Sequence, residues 1–132
     1  MIIKDVNIAG KTITIAYNYA TELAYKNLAD EDISEYFKAS FAAITSDPPR
    51  DPDTDKSIRL VFASEMSYYD SLTENNDRYP VSIRNLMYDA QSDELIKAVL
   101  TIAGMRNDFY KIPVGEPKDK EPKPGRKKGK NS

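Results

Sequence analysis

Residues 6–17, VNIAGKTITIAY, decide how the fold begins. Polar and apolar side chains alternate after Gly10, so that Ile13, Ile15 and Tyr17 share one face of a half-buried strand. Glycine suits a tight turn that requires a positive φ angle. The segment therefore predicts an N-terminal β-hairpin. Because an isolated hairpin is only marginally stable in water, we expect its apolar face to rest on helices.

Helical spacing replaces this alternation after the hairpin. Apolar residues recur at i, i+4 intervals from Tyr19 to Leu28, which predicts a first helix. Asp30 is predicted to cap a second helix with Glu31 and Asp32 in its first turn, because a helix N-terminus favours negative charge. The second helix has the most regular spacing, and its predicted buried stripe consists of Ile33, Tyr36, Phe37, Ser40, Phe41 and Ile44.

A third helix is predicted after a proline-rich loop. Three prolines keep residues 46–53 from becoming helical, and the helix then runs from Thr54 or Asp55 to about Asp70. Its predicted buried stripe consists of Ile58, Val61, Phe62, either Glu65 or Met66, and Tyr69. Residues 71–79 are polar, and their composition predicts a flexible segment.

Two more helices complete the pattern. Pro80 and Ser82 open a short fourth helix, and Ser92 caps a long fifth helix that Pro113 and Gly115 end. The whole pattern predicts the α+β class. We expect an N-terminal β-hairpin packed against four to five α-helices in one globular domain, residues 1–114.

Charge is unevenly distributed along the chain. Residues 115–132 contain seven Lys/Arg and three acidic residues, a net charge of +4, whereas residues 1–114 contain 12 basic and 18 acidic residues, a net charge of −6. The C-terminal segment also lacks any large apolar side chain. It cannot offset the entropy of ordering, so we predict a disordered basic tail. Such asymmetry marks an interaction tail or serves solubility alone.

Composition excludes several classes of chemistry. Among 132 residues there is no Cys, His or Trp, which excludes disulfides, thiolate nucleophiles, Cys/His zinc sites and imidazole catalysis. The longest uncharged stretch, Thr12 to Thr21, has ten residues, about half of what a membrane span requires. Lys4 and Asp5 interrupt any apolar signal core at the N-terminus. We therefore expect a cytoplasmic protein that makes no use of a membrane.

One acidic cluster has the spacing of a calcium loop. Asp51, Asp53 and Asp55 match the first three ligand positions of an EF-hand. However, Lys56 stands where that loop needs Gly, and Phe62 stands where it needs a bidentate Glu. The favoured interpretation is that these acids cap the helix that follows.

Other acidic pairs lie where helix starts explain them. Residues 31–32 and 93–94 both fall in predicted first turns. An enzyme that uses only carboxylates, Lys and Tyr is a further alternative, and it requires a pocket with shifted carboxyl pKa values. The sequence contains no Gly-rich phosphate loop and no nucleophile elbow. We expect no catalytic residue, no metal and no cofactor.

Tyrosine is frequent, with nine residues, most of them spread through the predicted helices. Most are expected to pack in or near the core with the hydroxyl at the surface. Tyr68 and Tyr69 are the best candidates for a protein-binding surface. Adjacent helical residues point about 100° apart, so the core needs only one of the two rings.

The basic tail offers a second kind of candidate site. Arg126, Lys127, Lys128 and Lys130 have the charge to contact nucleic-acid phosphates. No aromatic residue lies among them to stack on bases, and the acidic body would repel a polyanion. A solvated terminus is the other interpretation of the same residues.

The first third of the chain resembles the tail-assembly chaperones of long-tailed phages and prophages. Residues 6–17 look like the family's opening hairpin, with Gly10 and Lys11 at its turn. Residues 19–25, YATELAY, look like the aromatic-x-x-x-leucine helix that follows the hairpin. Beyond about residue 45 the resemblance is one of architecture, a run of helices with a charged C-terminal extension. The proline-rich loop at 47–52 and the strongly basic end depart from the family pattern.

This resemblance implies a non-enzymatic protein whose client is the tape-measure protein or the tail-tube protein. Family members bind the long, helical, aggregation-prone tape-measure protein while the tail tube assembles around it. Several copies along one client would add avidity, and we expect weak self-association, or none, without the client. Many members also have a longer form made by ribosomal frameshifting, which would here fall near Lys127 and Lys128.

The alternative function comes from a different class. A small accessory protein of a mobile element would bind nucleic acid or a nucleoprotein through the basic tail. Its affinity would fall steeply with salt and vanish on truncation at Gly115.

Overall fold

The computed structural model describes residues 1–72 and 78–111. Over these residues the chain forms an N-terminal antiparallel hairpin packed against five helices, which confirms the predicted α+β class. The elements are β1 (Ile2–Ile8), β2 (Lys11–Tyr17), α1 (Tyr19–Ala29), α2 (Ile33–Ile44), α3 (Thr54–Tyr69), α4 (Ile83–Asp89) and α5 (Ser92–Tyr110).

The hairpin has the predicted turn and the predicted buried face. Ile8 pairs with Lys11 across a two-residue turn in which Ala9 has φ 54° and Gly10 has φ 76°. Two successive positive φ angles are characteristic of the type I′ turn, whose twist matches that of the flanking strands. The alternating residues Ile13, Ile15 and Tyr17 are all buried.

Helix α3 is the centre of the molecule. It packs against β2, α1, α4 and α5, so it is buried on more than one stripe. Leu60 is completely buried, whereas Phe62 and Tyr69 of the predicted stripe are only half-buried. Periodicity assumes a helix with one covered face, and that assumption fails for a helix with neighbours on several sides.

Two predicted helix caps were wrong by one or two residues. Asp30 does not start α2; it ends α1 in the left-handed conformation, with φ 58°. Asp32 occupies the N-cap position of α2. At α5 the N-cap is Gln91, and Ser92 is the first helical residue. Asp tolerates left-handed backbone better than most residues, which explains why it serves at the end of a helix as well as at a start.

The remaining boundaries follow the sequence closely. Ser82 caps α4 by accepting the Asn85 N–H at 3.0 Å, as predicted. Residues 73–77 of the polar segment lie outside the described residues, as do Pro113 and Gly115, which were predicted to end α5. Helix α5 itself ends at Tyr110. Within the described ranges, no helix combines the length and the apolar character that crossing a membrane requires.

Candidate protein-binding site

Helix α2 presents apolar side chains to solvent. Its buried residues are Ile33, Tyr36, Ser40 and Ala43, while Phe41 is 71% exposed and Ile44 is 38% exposed. The prediction that Phe41 and Ile44 belong to the core was therefore wrong. The apolar face of α2 is therefore covered only in part within the described structure.

These side chains form one wall of a groove. Phe37, Phe41 and Ile44 of α2 face Val99, Leu100 and Ala103 of α5 across a depression of about 180 Å³, which we call the α2/α5 groove. Leu100 is 55% exposed. Exposed large apolar residues that adjoin one another, rather than being scattered singly, mark an interaction site.

A cation lies at one end of the α2/α5 groove. The guanidinium carbon of Arg106 lies 5.4 Å from the centre of the Phe37 ring and 5.6 Å from that of Tyr110. The Arg106 Nε is buried without a hydrogen-bond partner, and none of the ion pairs among the described residues includes Arg106. The aromatic faces hold the guanidinium in place.

Tyrosine hydroxyls fix the end of α5 that carries Arg106. Glu22 Oε2 accepts hydrogen bonds from the hydroxyls of Tyr17 and Tyr110, both at 2.6 Å. The bond to Glu22 and partial burial raise the pKa of Tyr110 to about 12. Burial, followed by the same carboxylate, raises the pKa of Tyr17. Both tyrosines therefore stay protonated as donors. Tyr110 ties α5 to α1, and Tyr17 ties β2 to α1.

Three tyrosines are buried more deeply than the sequence predicted. Tyr17, Tyr25 and Tyr36 are at most 2% exposed, and their hydroxyls are bonded inside the molecule rather than at the surface. Burial raises the pKa of Tyr25 and of Tyr36. Glu22 and Glu31, the partners of Tyr17 and Tyr25, lie five and six residues further along the chain. Ser57, the partner of Tyr36, is 21 residues away in the sequence.

The predicted binding pair, Tyr68 and Tyr69, lies at the outer edge of β2. Both rings are half-buried, with their centres 4.9 Å apart and nearly perpendicular. The Tyr69 hydroxyl accepts the Thr14 N–H at 3.3 Å. Tyr69 therefore bonds to the backbone at the edge of β2. Neither Tyr68 nor Tyr69 lines the α2/α5 groove. A role of the pair in partner binding stays a prediction.

Several of the acidic residues singled out in the sequence have structural partners. Asp53 Oδ1 accepts the Lys56 N–H at 2.9 Å and so caps α3, as the capping interpretation predicted. Glu31 is not a cap; it accepts from the Tyr25 hydroxyl at 2.6 Å and from Lys56 Nζ at 3.0 Å. Glu94 closes the capping box of α5. No cluster suited to a metal ion occurs among the described residues.

Helix α3 contains a buried carboxyl group, that of Glu65. The sequence left Glu65 and Met66 as alternatives for the core position, and the structure buries Glu65 completely. Its Oε2 accepts the Val81 N–H at 2.8 Å, and its Oε1 has no partner among the described residues. Burial raises the pKa of Glu65 to about 7, although the Val81 bond and the charge of Lys11 oppose this rise. Glu65 does not line the α2/α5 groove.

The basic candidates of the tail, Arg126, Lys127, Lys128 and Lys130, lie outside the described residues. Comparison with known proteins adds no further information about the site. No family model, no curated protein and no solved structure matches this chain.

Proposed function

We propose that this chain is a non-enzymatic protein-binding module that holds helical segments of a client in the α2/α5 groove. The observation that carries the proposal is the contiguous exposure of Phe41, Ile44 and Leu100 along that groove. A groove between two helices suits an amphipathic helix, whose apolar side chains recur at i, i+3, i+4 and i+7.

The positive charge of Arg106 at one end of the α2/α5 groove favours a client with an acidic residue. Arg106 is held by two aromatic rings and has no carboxylate partner among the described residues. A client helix with Asp or Glu beside its apolar stripe would pair with this guanidinium, which is shaped to receive a carboxylate. The proposed client is therefore an amphipathic helix with an acidic residue at one end of its apolar stripe.

A tail-assembly chaperone fits this description. The hairpin at 6–17 and the helix at 19–25 support the family assignment through their resemblance. A tape-measure protein is long and helical, and many copies of this chain along it would each cover one segment. We propose that the protein acts in this way in the cytoplasm of the host cell, with the tape-measure or tail-tube protein as its client.

The test is co-expression with the tape-measure protein of its own locus, followed by capture of the complex and measurement of the soluble client. Phe41→Ser removes the most exposed ring of the groove. The matched control is Tyr88→Ser, since Tyr88 is 74% exposed on α4 and does not line the groove. Burial of one large apolar side chain stabilises a complex by about 1.5–3 kcal/mol, so F41S should weaken binding roughly 10- to 100-fold.

The outcomes separate the candidate functions. Loss of client capture with F41S but not with Y88S supports the proposal. Equal capture by both variants, or no capture by the wild type, would contradict it. The alternative, an accessory protein that binds nucleic acid through residues 115–132, rests on the charge asymmetry of the chain. It predicts recovery of nucleic acid only, only at low salt, and unaffected by F41S.

A further inference from the structure

The two edges of the hairpin differ in how they are covered. On β2, the outward Thr14 N–H is bonded to the Tyr69 hydroxyl at 3.3 Å. The outward carbonyl of Ala16 accepts the hydroxyls of Thr21 at 2.9 Å and Ser67 at 3.1 Å. Side chains of α1 and α3 therefore cover the edge of β2 at Thr14 and Ala16.

The edge of β1 has no such cover. In the antiparallel register Asp5 lies opposite Thr14 and Ile3 lies opposite Ala16. In an antiparallel pair, the backbone N–H and C=O groups of two opposed residues point either both toward the partner strand or both outward. Because those of Thr14 and Ala16 point outward, the N–H and C=O groups of Asp5 and Ile3 also point outward. The same holds two residues further along β1, at Asn7. These three residues are exposed, and no hydrogen bond to their backbone groups from outside the hairpin occurs in the described structure.

A groove runs along this open edge. It lies between β1 and the first half of α5 and has a volume of about 660 Å³; we call it the β1/α5 groove. Ile96, which is half-buried, and Leu100, which is 55% exposed, contribute its apolar lining. A strand placed about 4.8 Å from β1 would pair with the outward groups of β1, with the apolar lining of the groove beside it.

The charge of the β1/α5 groove selects the occupant. Three carboxylates line it, those of Asp5, Asp93 and Glu94, with Lys97 as the basic residue among them. Pairing with the β1 edge of a second copy would bring another acidic body, residues 1–114 with a net charge of −6, to the same place. Like charges disfavour that pairing, whereas an extended segment with Lys or Arg would be attracted.

We infer that the open edge of β1 is a second binding site, which takes a basic, extended segment of a partner protein as a third strand of the sheet. Backbone hydrogen bonds to Ile3, Asp5 and Asn7 hold the segment. The groove carboxylates select its charge, and alternate apolar side chains cover Ile96 and Leu100. The inference does not depend on the proposed function, because it concerns a different kind of segment and a groove that shares only Leu100 with the α2/α5 groove in the described structure.

The test uses two synthetic seven-residue peptides, alternating Lys/Val and alternating Glu/Val, with the full chain. The Lys/Val peptide should bind more tightly, and it should slow hydrogen exchange at the amides of Ile3, Asp5 and Asn7. Equal binding of both peptides, or unchanged exchange at these amides, would overturn the inference. Two results without peptide would also overturn the inference. Slow exchange at these amides that depends on protein concentration would mean that a second copy pairs with β1. Slow exchange that does not depend on protein concentration would mean that another part of the same chain covers β1.

A pair of variants isolates the backbone contribution. Asp5→Ala and Asp5→Pro both remove the carboxylate, but only the proline also removes the outward N–H. Because that N–H is not part of the β1–β2 ladder, proline is tolerated at this edge. D5P should bind the Lys/Val peptide about tenfold more weakly than D5A. Equal affinities of D5P and D5A for the Lys/Val peptide would contradict strand addition. If D5P does not fold, hydrogen exchange at the β1 amides of the wild type with the Lys/Val peptide tests strand addition instead. Leu100 lines both grooves and is left unchanged.

Discussion

Glu65→Gln should make the protein more stable at pH 7 and above, with little effect below pH 4.5. Glu65 is completely buried in α3 and has no partner for its Oε1 within the described structure. Glutamine has nearly the same shape and keeps an oxygen that can accept the Val81 N–H. The substitution therefore removes the ionisation of the side chain while preserving most of its packing.

The size of the effect follows from the pKa of Glu65. Burial raises this pKa from its ordinary value of 4.5 to about 7 in the folded protein. Below pH 4.5 the carboxyl is protonated in both folded and unfolded chains. As pH rises from 4.5 to 7 the unfolded chain loses the proton first, so the wild type loses stability across this window. Each tenfold change in proton affinity corresponds to about 1.4 kcal/mol, which gives a total of about 3 kcal/mol.

The assay is urea unfolding of wild type and E65Q at intervals from pH 4 to pH 8. The difference in free energy of unfolding should grow in favour of E65Q by about 3 kcal/mol between pH 4.5 and pH 7 and then stay constant. Glu35→Gln, at an exposed position of α2, reports the same substitution outside the core. Parallel curves for wild type and E65Q would refute the argument that burial of this carboxyl opposes folding.

Three further predictions concern the backbone of the hairpin and of α5. Gly10→Ala should destabilise the fold by about 1 kcal/mol because φ is +76°, although a Cβ would meet nothing within 4 Å. Gly104→Ala should stabilise the fold by about 0.5–1 kcal/mol, because a Cβ there also meets nothing within 4 Å and Gly104 lies inside α5. Thermal unfolding measures the change in stability for both variants. Changes of the same sign in G10A and G104A would contradict the conformational argument. Tyr69→Phe should cost about 1 kcal/mol and speed hydrogen exchange of the Thr14 amide, since it removes the acceptor of that N–H. Unchanged Thr14 exchange, with Tyr68→Phe as the control, would show that Tyr69 does not cap the strand.

The elements of the fold were accessible from the sequence because each has a local cause. Alternation of Ile13, Ile15 and Tyr17 follows from the two-residue period of a strand, and Gly10 follows from the φ angle of the turn. The helices have apolar periods and polar or proline-rich breaks between them. Cap positions were less accurate, because Asp30 and Asp32 have the same chemistry and only the path of the chain decides which one starts α2.

The candidate site depends on tertiary placement, which periodicity does not contain. The pattern of α2 identifies Phe41 and Ile44 as apolar, but it does not tell whether another helix covers them. Arg106 looks like an ordinary surface cation in the sequence, and its position between Phe37 and Tyr110 requires α2 and α5 to meet.

The open edge of β1 could not be foreseen for a related reason. The hairpin pattern predicts two strands and therefore two edges. Which edge is closed depends on Ser67 and Tyr69, which are more than 50 residues away in the sequence.

The most direct measurement is site-specific photocrosslinking in cells that express the protein together with the other genes of its own locus. A photoreactive phenylalanine analogue replaces Phe41 in the α2/α5 groove or, as the control, Tyr88 on α4. The account predicts a crosslink from position 41, and not from position 88, to a long helical protein identified by mass. No protein crosslink at position 41, or equal crosslinking from both positions, would contradict the claim that the α2/α5 groove holds a client helix.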